Sequence, residues 1–163
     1  MDRIMGIDYG RKRTGLAVSD PLGIFASALD TIQSAKIIDY LQNYSAVQPI
    51  VRFVVGYPKN LDNTPSEAAT DVDIFLKRLA KAFPCIPVTL EDERFTSVLA
   101  HRAMIDGGMK AEQRRDKRSV DKISAAIILQ GYLDRQCTAP SAVLPSEKVP
   151  LTRSRKLSGR KLR

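Results

Sequence analysis

Three acidic positions stand where predicted strands or helices begin or end. Asp8 follows the apolar run at residues 4–7, an acidic run fills residues 91–93, and Asp121 lies near the start of the last predicted helix. Carboxylates that converge repel one another unless a cation lies between them. Magnesium prefers hard oxygen ligands and leaves positions for water and phosphate oxygens. Convergence of the three positions would therefore create a metal site suited to phosphodiester hydrolysis.

Each acidic position also has a purely structural explanation. Asp8 would serve as a turn residue that bonds its own loop backbone. The run at 91–93 would be a solvated strand end paired with Arg94, and Asp121 would be favoured by the helix dipole. Because side chains alternate along a strand, Asp92 and Glu93 point to opposite faces, and alternation alone does not choose between them.

Three consecutive cations follow Asp8 almost at once. Arg11, Lys12 and Arg13 occupy a short loop between two predicted strands. Beside a metal-binding acid they are predicted to contact the phosphates of the strand being cut. The alternative is a hairpin tip whose charges are solvated.

The hydrophobic pattern predicts an α/β domain with a mixed sheet flanked by helices. Predicted strands cover residues 3–8, 14–19, 25–32, 51–58 and 86–94. Predicted helices begin at Ser34, at Thr64 within a capping box, near Ser97 and at Ser119. Sheets of this kind place their sites at the carboxyl ends of strands, where Asp8 and the acids at 91–93 lie.

Composition narrows the classes of function. The chain has 163 residues, enough for one domain, and a net charge of +8. Cys85, Cys137 and His101 lack the spacing of a zinc site, and both cysteines are predicted to be reduced thiols. No signal-peptide core or membrane-spanning run is present, so a cytoplasmic protein with no membrane partner is expected.

Four stretches resemble a known family when taken together. The stretches "GIDYGRKRTGLAVSD", "VVGYPKNLDNT", "EDERFTS" and "VDKISAAIILQGYL" are similar to the signature stretches of the YqgF/RuvX family, in the family's order, over residues 4–133. The resemblance implies an RNase H-like fold over residues 1–137. It also implies a Mg²⁺- or Mn²⁺-dependent endonuclease that processes the 5′ end of pre-16S rRNA in ribosome biogenesis. Asp8, Glu93 and Asp121 match the family's catalytic, metal-binding acids.

The same motifs extend the predicted contacts with nucleic acid. Asn60 would bond a phosphate or sugar, although a turn asparagine is the alternative, and Arg94 adjoins the matched Glu93. One departure concerns a further acid that related resolvases carry one helical turn after the position of Asp121. Here the nearby residues are Ser124 and Ala125, which leaves a three-acid site.

Other functions are compatible with parts of this pattern. The same acids would serve a Holliday junction resolvase acting on branched DNA. An RNA-binding assembly factor without catalysis is another class. An ATPase of the actin and sugar-kinase type begins with a similar strand, Asp and turn, but needs two lobes where 163 residues supply one. Because no dimer seam is evident, a monomer or weak dimer is expected.

The last segment, residues 138–163, is predicted to be a Pro/Ser-rich linker with a basic and disordered tail. Seven cations and no acid follow Glu147. Such a tail either solubilises the protein or displaces counterions from nucleic acid.

Deletion of residues 148–163 should weaken nucleic-acid binding about equally across sequences. If three or four tail cations engage phosphates, the log–log salt slope of binding should fall by about 2 to 4. Binding titrations at several salt concentrations measure this slope. A slope equal to that of the full chain would identify the tail as a solvated extension.

Overall fold

The computed structural model describes residues 2–59, 67–93 and 96–138, in which five strands and five α-helices are assigned. The strands are β1 (Arg3–Tyr9), β2 (Arg13–Ser19), β3 (Ala26–Gln33), β4 (Ile50–Tyr57) and β5 (Val88–Asp92). The helices are α1 (Ile37–Val47), α2 (Glu67–Ala82), α3 (Thr96–Asp106), α4 (Ala111–Arg114) and α5 (Lys117–Thr138), with a 3₁₀ turn (Ser34–Lys36) before α1. The predicted helix start at Thr64 and the basic tail lie outside the described residues.

The strands form a single mixed sheet in the order β3-β2-β1-β4-β5. Strands β3, β2 and β1 are antiparallel neighbours, whereas β1, β4 and β5 run parallel to one another. The carboxyl ends of these three parallel strands therefore meet at one edge of the sheet. The predicted α/β class, a mixed sheet flanked by helices, is confirmed.

Helices α1 and α2 cover one face of the sheet. Alternate residues of β1, β2 and β4 point toward them, as period-2 patterning requires. The fully or almost fully buried side chains of this core are Met5, Ile7, Leu16, Ile37, Leu41, Phe53, Val55, Val72, Phe75 and Leu79. This face is an apolar core, and the acids of interest lie on the opposite face or at the edge.

Helix α5 covers the opposite face and packs very closely against β1. A Cβ built on Gly6 would lie 2.7 Å from the Cβ of Leu129 and 2.9 Å from the carbonyl oxygen of Ala125. Only a glycine leaves enough room for this approach. The predicted burial of the last helix is confirmed from Ser124 to Leu133, and its surface becomes exposed at Asp134.

Two predicted helix caps are wrong. The Ser34 hydroxyl donates to the carbonyl oxygen of Gly10 at 2.5 Å, so it holds the loop between β1 and β2 instead of capping α1. The last helix begins at Lys117, before the predicted cap Ser119. The Asp116 carboxylate accepts the backbone N–H of Arg118 at 3.1 Å and the Ser119 hydroxyl at 3.1 Å.

Helix α4 was not anticipated, because the basic stretch around it carries no apolar periodicity. Cys85 and Cys137 are free and exposed, as expected of reduced thiols. Of the helices in the described part of the chain, none has the length and apolar character needed to cross a membrane.

Replacement of Gly6 by alanine should destabilise the protein by about 1–3 kcal/mol or more, because α5 must move off the sheet to accept the new methyl group. Gly131→Ala is the matched control within α5. No neighbouring heavy atom lies within 4 Å of its ideal Cβ, so it should stabilise by about 0.5–1 kcal/mol. Urea unfolding of both variants tests this packing, and a Gly6→Ala protein as stable as wild type would contradict it.

Candidate active site

Asp8 lies near the carboxyl end of β1, on the face that α5 covers. It pairs with Gly15 of β2, and the β1–β4 register, in which Ile7 pairs with Val55, places Gly56 beside it on the other side. The carboxylate is thus flanked by two residues without side chains. The space that two side chains would occupy is open to groups arriving from β5 and α5.

Glu93 reaches Asp8 through the space above Gly56. A Cβ on Gly56 would lie 2.6 Å from Oε2 of Glu93, and the Glu93 and Asp8 carboxyl groups are joined by a hydrogen bond. The residue before it, Asp92, is exposed. The structure therefore selects Glu93 over Asp92 as the partner of Asp8, a choice that strand alternation left open.

Asp121 lies on α5, directly above Gly15 of β2. A Cβ on Gly15 would lie only 2.0 Å from the carbonyl oxygen of Asp121, so the helix backbone passes directly over this glycine. Since α5 begins at Lys117, Asp121 is in the second turn. The favourable effect of a helix dipole on acids falls off within the first turn, which weakens the purely structural explanation of this residue.

Arg13, at the start of β2, neutralises Asp121. Its Nε donates to Oδ2 of Asp121 at 2.8 Å, and both side chains are partly exposed. The loop that carries Arg13 is held by the Ser34 hydroxyl on Gly10 and by the Ser34 N–H, which donates to the carbonyl oxygen of Lys12 at 3.1 Å. One cation of the basic loop is thereby fixed against the acids.

The shared burial of Asp8 and Glu93 changes their protonation. Desolvation, reinforced by the charge of Asp121, raises the pKa of Asp8 from 3.8 to about 6. Desolvation, with the adjacent Asp8 charge as the next cause, raises the pKa of Glu93 from 4.5 to about 8. The pair therefore holds a proton near neutral pH, as two carboxyl groups in contact must when no other cation neutralises them.

The donor chemistry of this pair suits a hard divalent cation, because two positive charges in place of one shared proton would neutralise both carboxylates. Over residues 2–59, 67–93 and 96–138, however, no three His, Cys, Asp or Glu side chains form a ready-made metal cluster. The third carboxylate, Asp121, is held by Arg13. The fit therefore rests on the Asp8–Glu93 pair, with Asp121 within electrostatic reach of it.

The other predicted nucleic-acid contacts are spread over the surface. Arg11 pairs with Asp71 of α2 at 3.0 Å, so it points away from Asp121. Lys12 lines a groove with Arg118 and the end of β3. The remaining two candidates, Asn60 and Arg94, lie outside the described residues.

Sequence reasoning missed the roles of Gly15 and Gly56. The available signal was the presence of a glycine within each of two predicted strands, 14–19 and 51–58, because glycine within a strand often marks close approach of another backbone. It also missed the cations that α4 brings beside Asp121. Their signal was the basic composition of residues 109–118.

Known protein families match this chain over nearly all of the residues that the structure describes. A family model described as RuvX, Holliday junction resolvase, matches residues 2–135. A protein of Parabacteroides distasonis named "Putative pre-16S rRNA nuclease" is 51% identical over 134 residues, which is 82% of this chain and 96% of the relative. A protein of the same name from Phocaeicola vulgatus is 49% identical over 134 residues, with the same two coverages.

Among solved structures, the fold is similar to that of Thermus thermophilus RuvC in complex with a Holliday junction substrate. The TM-score is 0.53 at 18% sequence identity, over 83% of this chain and 96% of that one. At this identity the likeness concerns the fold. It supports the RNase H-like class of fold that the sequence predicts.

The carboxyl pair predicts how stability depends on pH in the metal-free protein. Both folded-state pKa values lie above the ordinary ones, so the stabilisation is fully present below about pH 4 and is lost as the pH rises through about 6 and 8. In EDTA, the free energy of unfolding should therefore fall from pH 5 to pH 8. Each proton held only by the folded state contributes about 1.4 kcal/mol per pH unit.

Urea unfolding at several pH values measures this slope. Glu93→Gln should flatten the slope above about pH 6, because the variant lacks the carboxyl group whose pKa is raised to about 8. Asp106→Asn, which changes an exposed acid on α3, should keep the wild-type slope. Equal slopes in wild type and Glu93→Gln would show that the pair does not retain a proton.

Proposed function

Because this chain belongs to the RuvX family of Holliday junction resolvase domains, we propose that it is a nuclease that hydrolyses phosphodiester bonds at Asp8, Glu93 and Asp121. Its substrate is the precursor of 16S ribosomal RNA, cleaved during maturation of the 5′ end. The proposal of an RNA substrate rests on the relatives of about 50% identity, whose names refer to pre-16S rRNA.

One structural observation carries the proposal of catalysis. Carboxylates from β1, from the residue after β5 and from α5 approach one another over two glycines, although they are far apart in the sequence. A charged cluster of this kind costs stability. Such a cost is expected where carboxylates are assembled for chemistry and not for packing.

Asp8, Glu93 and Asp121 would together hold Mg²⁺ or Mn²⁺. When bound, the metal would supply Lewis-acid stabilisation of the phosphoryl oxygens and lower the pKa of the attacking water. Asp8 and Glu93 would give up their shared proton on metal binding. Arg13 would offer its guanidinium to a phosphate oxygen beside Asp121, because guanidinium forms charge-assisted hydrogen bonds with phosphate as it does with carboxylate.

Resolution of four-way DNA junctions is a second candidate function, favoured by the description of the family model. A junction has two-fold symmetry, so its resolution requires paired cuts by a symmetric dimer. RNA trimming needs one active site. Sedimentation at several protein concentrations, run beside cleavage assays, separates these functions. A monomer or weak dimer that cuts RNA supports the first, and a tight dimer that nicks junctions symmetrically supports the second.

The acids predict a specific pattern of activity. Asp8→Asn, Glu93→Gln and Asp121→Asn should each lower cleavage by about 100-fold or more, because charge stabilisation by a held metal is worth several kcal/mol. The assay uses precursor rRNA and a four-way DNA junction, each with Mg²⁺, Mn²⁺ or EDTA. Thermal unfolding in EDTA should show equal or higher stability for Asp8→Asn and Glu93→Gln, since each removes one of two carboxyl groups that repel each other, whereas Asp121→Asn also loses the charge that pairs with Arg13.

Asp92→Asn is the matched control, since it changes the exposed neighbour of Glu93. It should keep most of the activity. Full activity in one of the three acid variants would remove that residue from the active site. Binding of RNA without cleavage under every metal condition would instead identify an assembly factor.

A further inference from the structure

A pocket of about 410 Å³ opens between α3, α4 and the beginning of α5. Its lining includes Arg13 and Asp121, so it adjoins the third of the three acids directly. The other lining residues are His101, Arg114, Arg115, Lys117 and Val120. The volume is in the range of small-ligand sites, but the lining is dominated by cationic side chains.

Among the residues that the structure describes, most of this positive charge has no carboxylate partner. Asp121 is the one carboxylate in the described lining, and Arg13 already pairs with it. Within residues 2–59, 67–93 and 96–138, Arg114, Arg115 and Lys117 form no ion pair. Three cations that line one pocket and share no carboxylate partner repel one another, so an anionic ligand would stabilise the arrangement.

The nearest acid in the sequence does not supply that anion. Asp116 stands between Arg115 and Lys117, yet it does not line the pocket. Its carboxylate is bonded to the backbone N–H of Arg118 and to the Ser119 hydroxyl, which lowers its pKa. Because the Asp116 carboxylate accepts hydrogen bonds at the start of α5, it does not pair with the cations of the pocket, which remains positively charged.

A second groove continues the positive surface on the other side of Arg13. It has a volume of about 380 Å³ and is lined by Lys12, Arg13 and Arg118, together with residues 31–33 of β3. Arg13 lines both the pocket and this groove. A chain of phosphates could therefore cross the edge of the sheet at Arg13 with cations on both sides.

We infer that the pocket between α3, α4 and α5 is a phosphate-binding subsite, in which Arg114, Arg115 and Lys117 hold the backbone of the nucleic-acid strand beside the three acids. The ligand class is a phosphodiester chain, since the described lining offers four cations and, apart from His101, no aromatic ring on which a base could stack. Recognition of this kind is independent of base sequence. The inference deepens the proposed nuclease function and rests on it for the identity of the ligand.

The subsite predicts a change in the salt dependence of binding. The triple variant R114Q/R115Q/K117Q should reduce the log–log salt slope for a labelled single-stranded RNA by about 2, since each single-strand phosphate contact contributes about 0.7. The reduction for a four-way DNA junction should be about 2–3, because duplex contacts contribute about 0.9 each. Binding is measured by fluorescence anisotropy in EDTA, and a slope that falls for one probe alone identifies the strand that the pocket takes.

The control variant is K77Q/R78Q/K81Q, which removes the same charge from α2 on the opposite face of the sheet. It should leave the slope close to the wild-type value. Circular dichroism verifies that both variants fold. Equal slopes in wild type and in the pocket variant would overturn the subsite, as would equal losses in both variants or a wild-type protein that binds neither probe.

Cleavage assays with Mg²⁺ separate this inference from the proposed function. If wild type cuts neither substrate while the pocket variant loses salt dependence, the subsite stands and the nuclease proposal fails. If wild type cleaves and the pocket variant binds and cleaves as wild type does, the nuclease proposal stands and the subsite fails.

Discussion

The close approach of α5 to the sheet is the constraint on which the candidate site depends. Gly6 lets the helix lie against β1, and Gly15 lets the backbone at Asp121 pass over β2. The same absence of a side chain at Gly56 opens the space that Glu93 fills beside Asp8. A methyl group at these positions would separate the acids by pushing back the element that carries each of them. The packing of the core and the convergence of charge are thus set by the same residues.

Convergence of the acids obliges the protein to balance their charge. In the metal-free state, Asp8 and Glu93 do so with a shared proton, and Asp121 does so with Arg13. A substrate or metal could replace either form of charge balance. A divalent cation can displace the shared proton, and a phosphate can compete with Asp121 for the Arg13 guanidinium. Arg114, Arg115 and Lys117, which form no ion pair with other described residues, extend positive potential from this point. A substrate backbone would therefore be attracted along a surface that ends at the acids.

Much of this organisation was predictable from sequence. Short apolar runs and turn residues predicted all five strands to within about two residues, since buried strands need continuous apolar side chains. They also placed Asp8 and the acids at 91–93 at carboxyl ends, and the family motifs matched Glu93 and not Asp92. Helix starts were less predictable. Ser34 and Ser119 both resemble caps, yet tertiary contacts engage the first and Asp116 precedes the second.

What the sequence by itself determined was the type and order of the elements and the acids at their ends, because hydrophobic periodicity and turn chemistry act over a few residues. Only the tertiary structure decided which side chains meet. In the folded protein, Arg11 of the basic loop pairs with Asp71, whereas Arg13 pairs with Asp121. The fold also places α4 beside Asp121. Distances between residues more than 100 positions apart depend on how closely α5 packs on the sheet. That packing is set by steric contacts that no local pattern records.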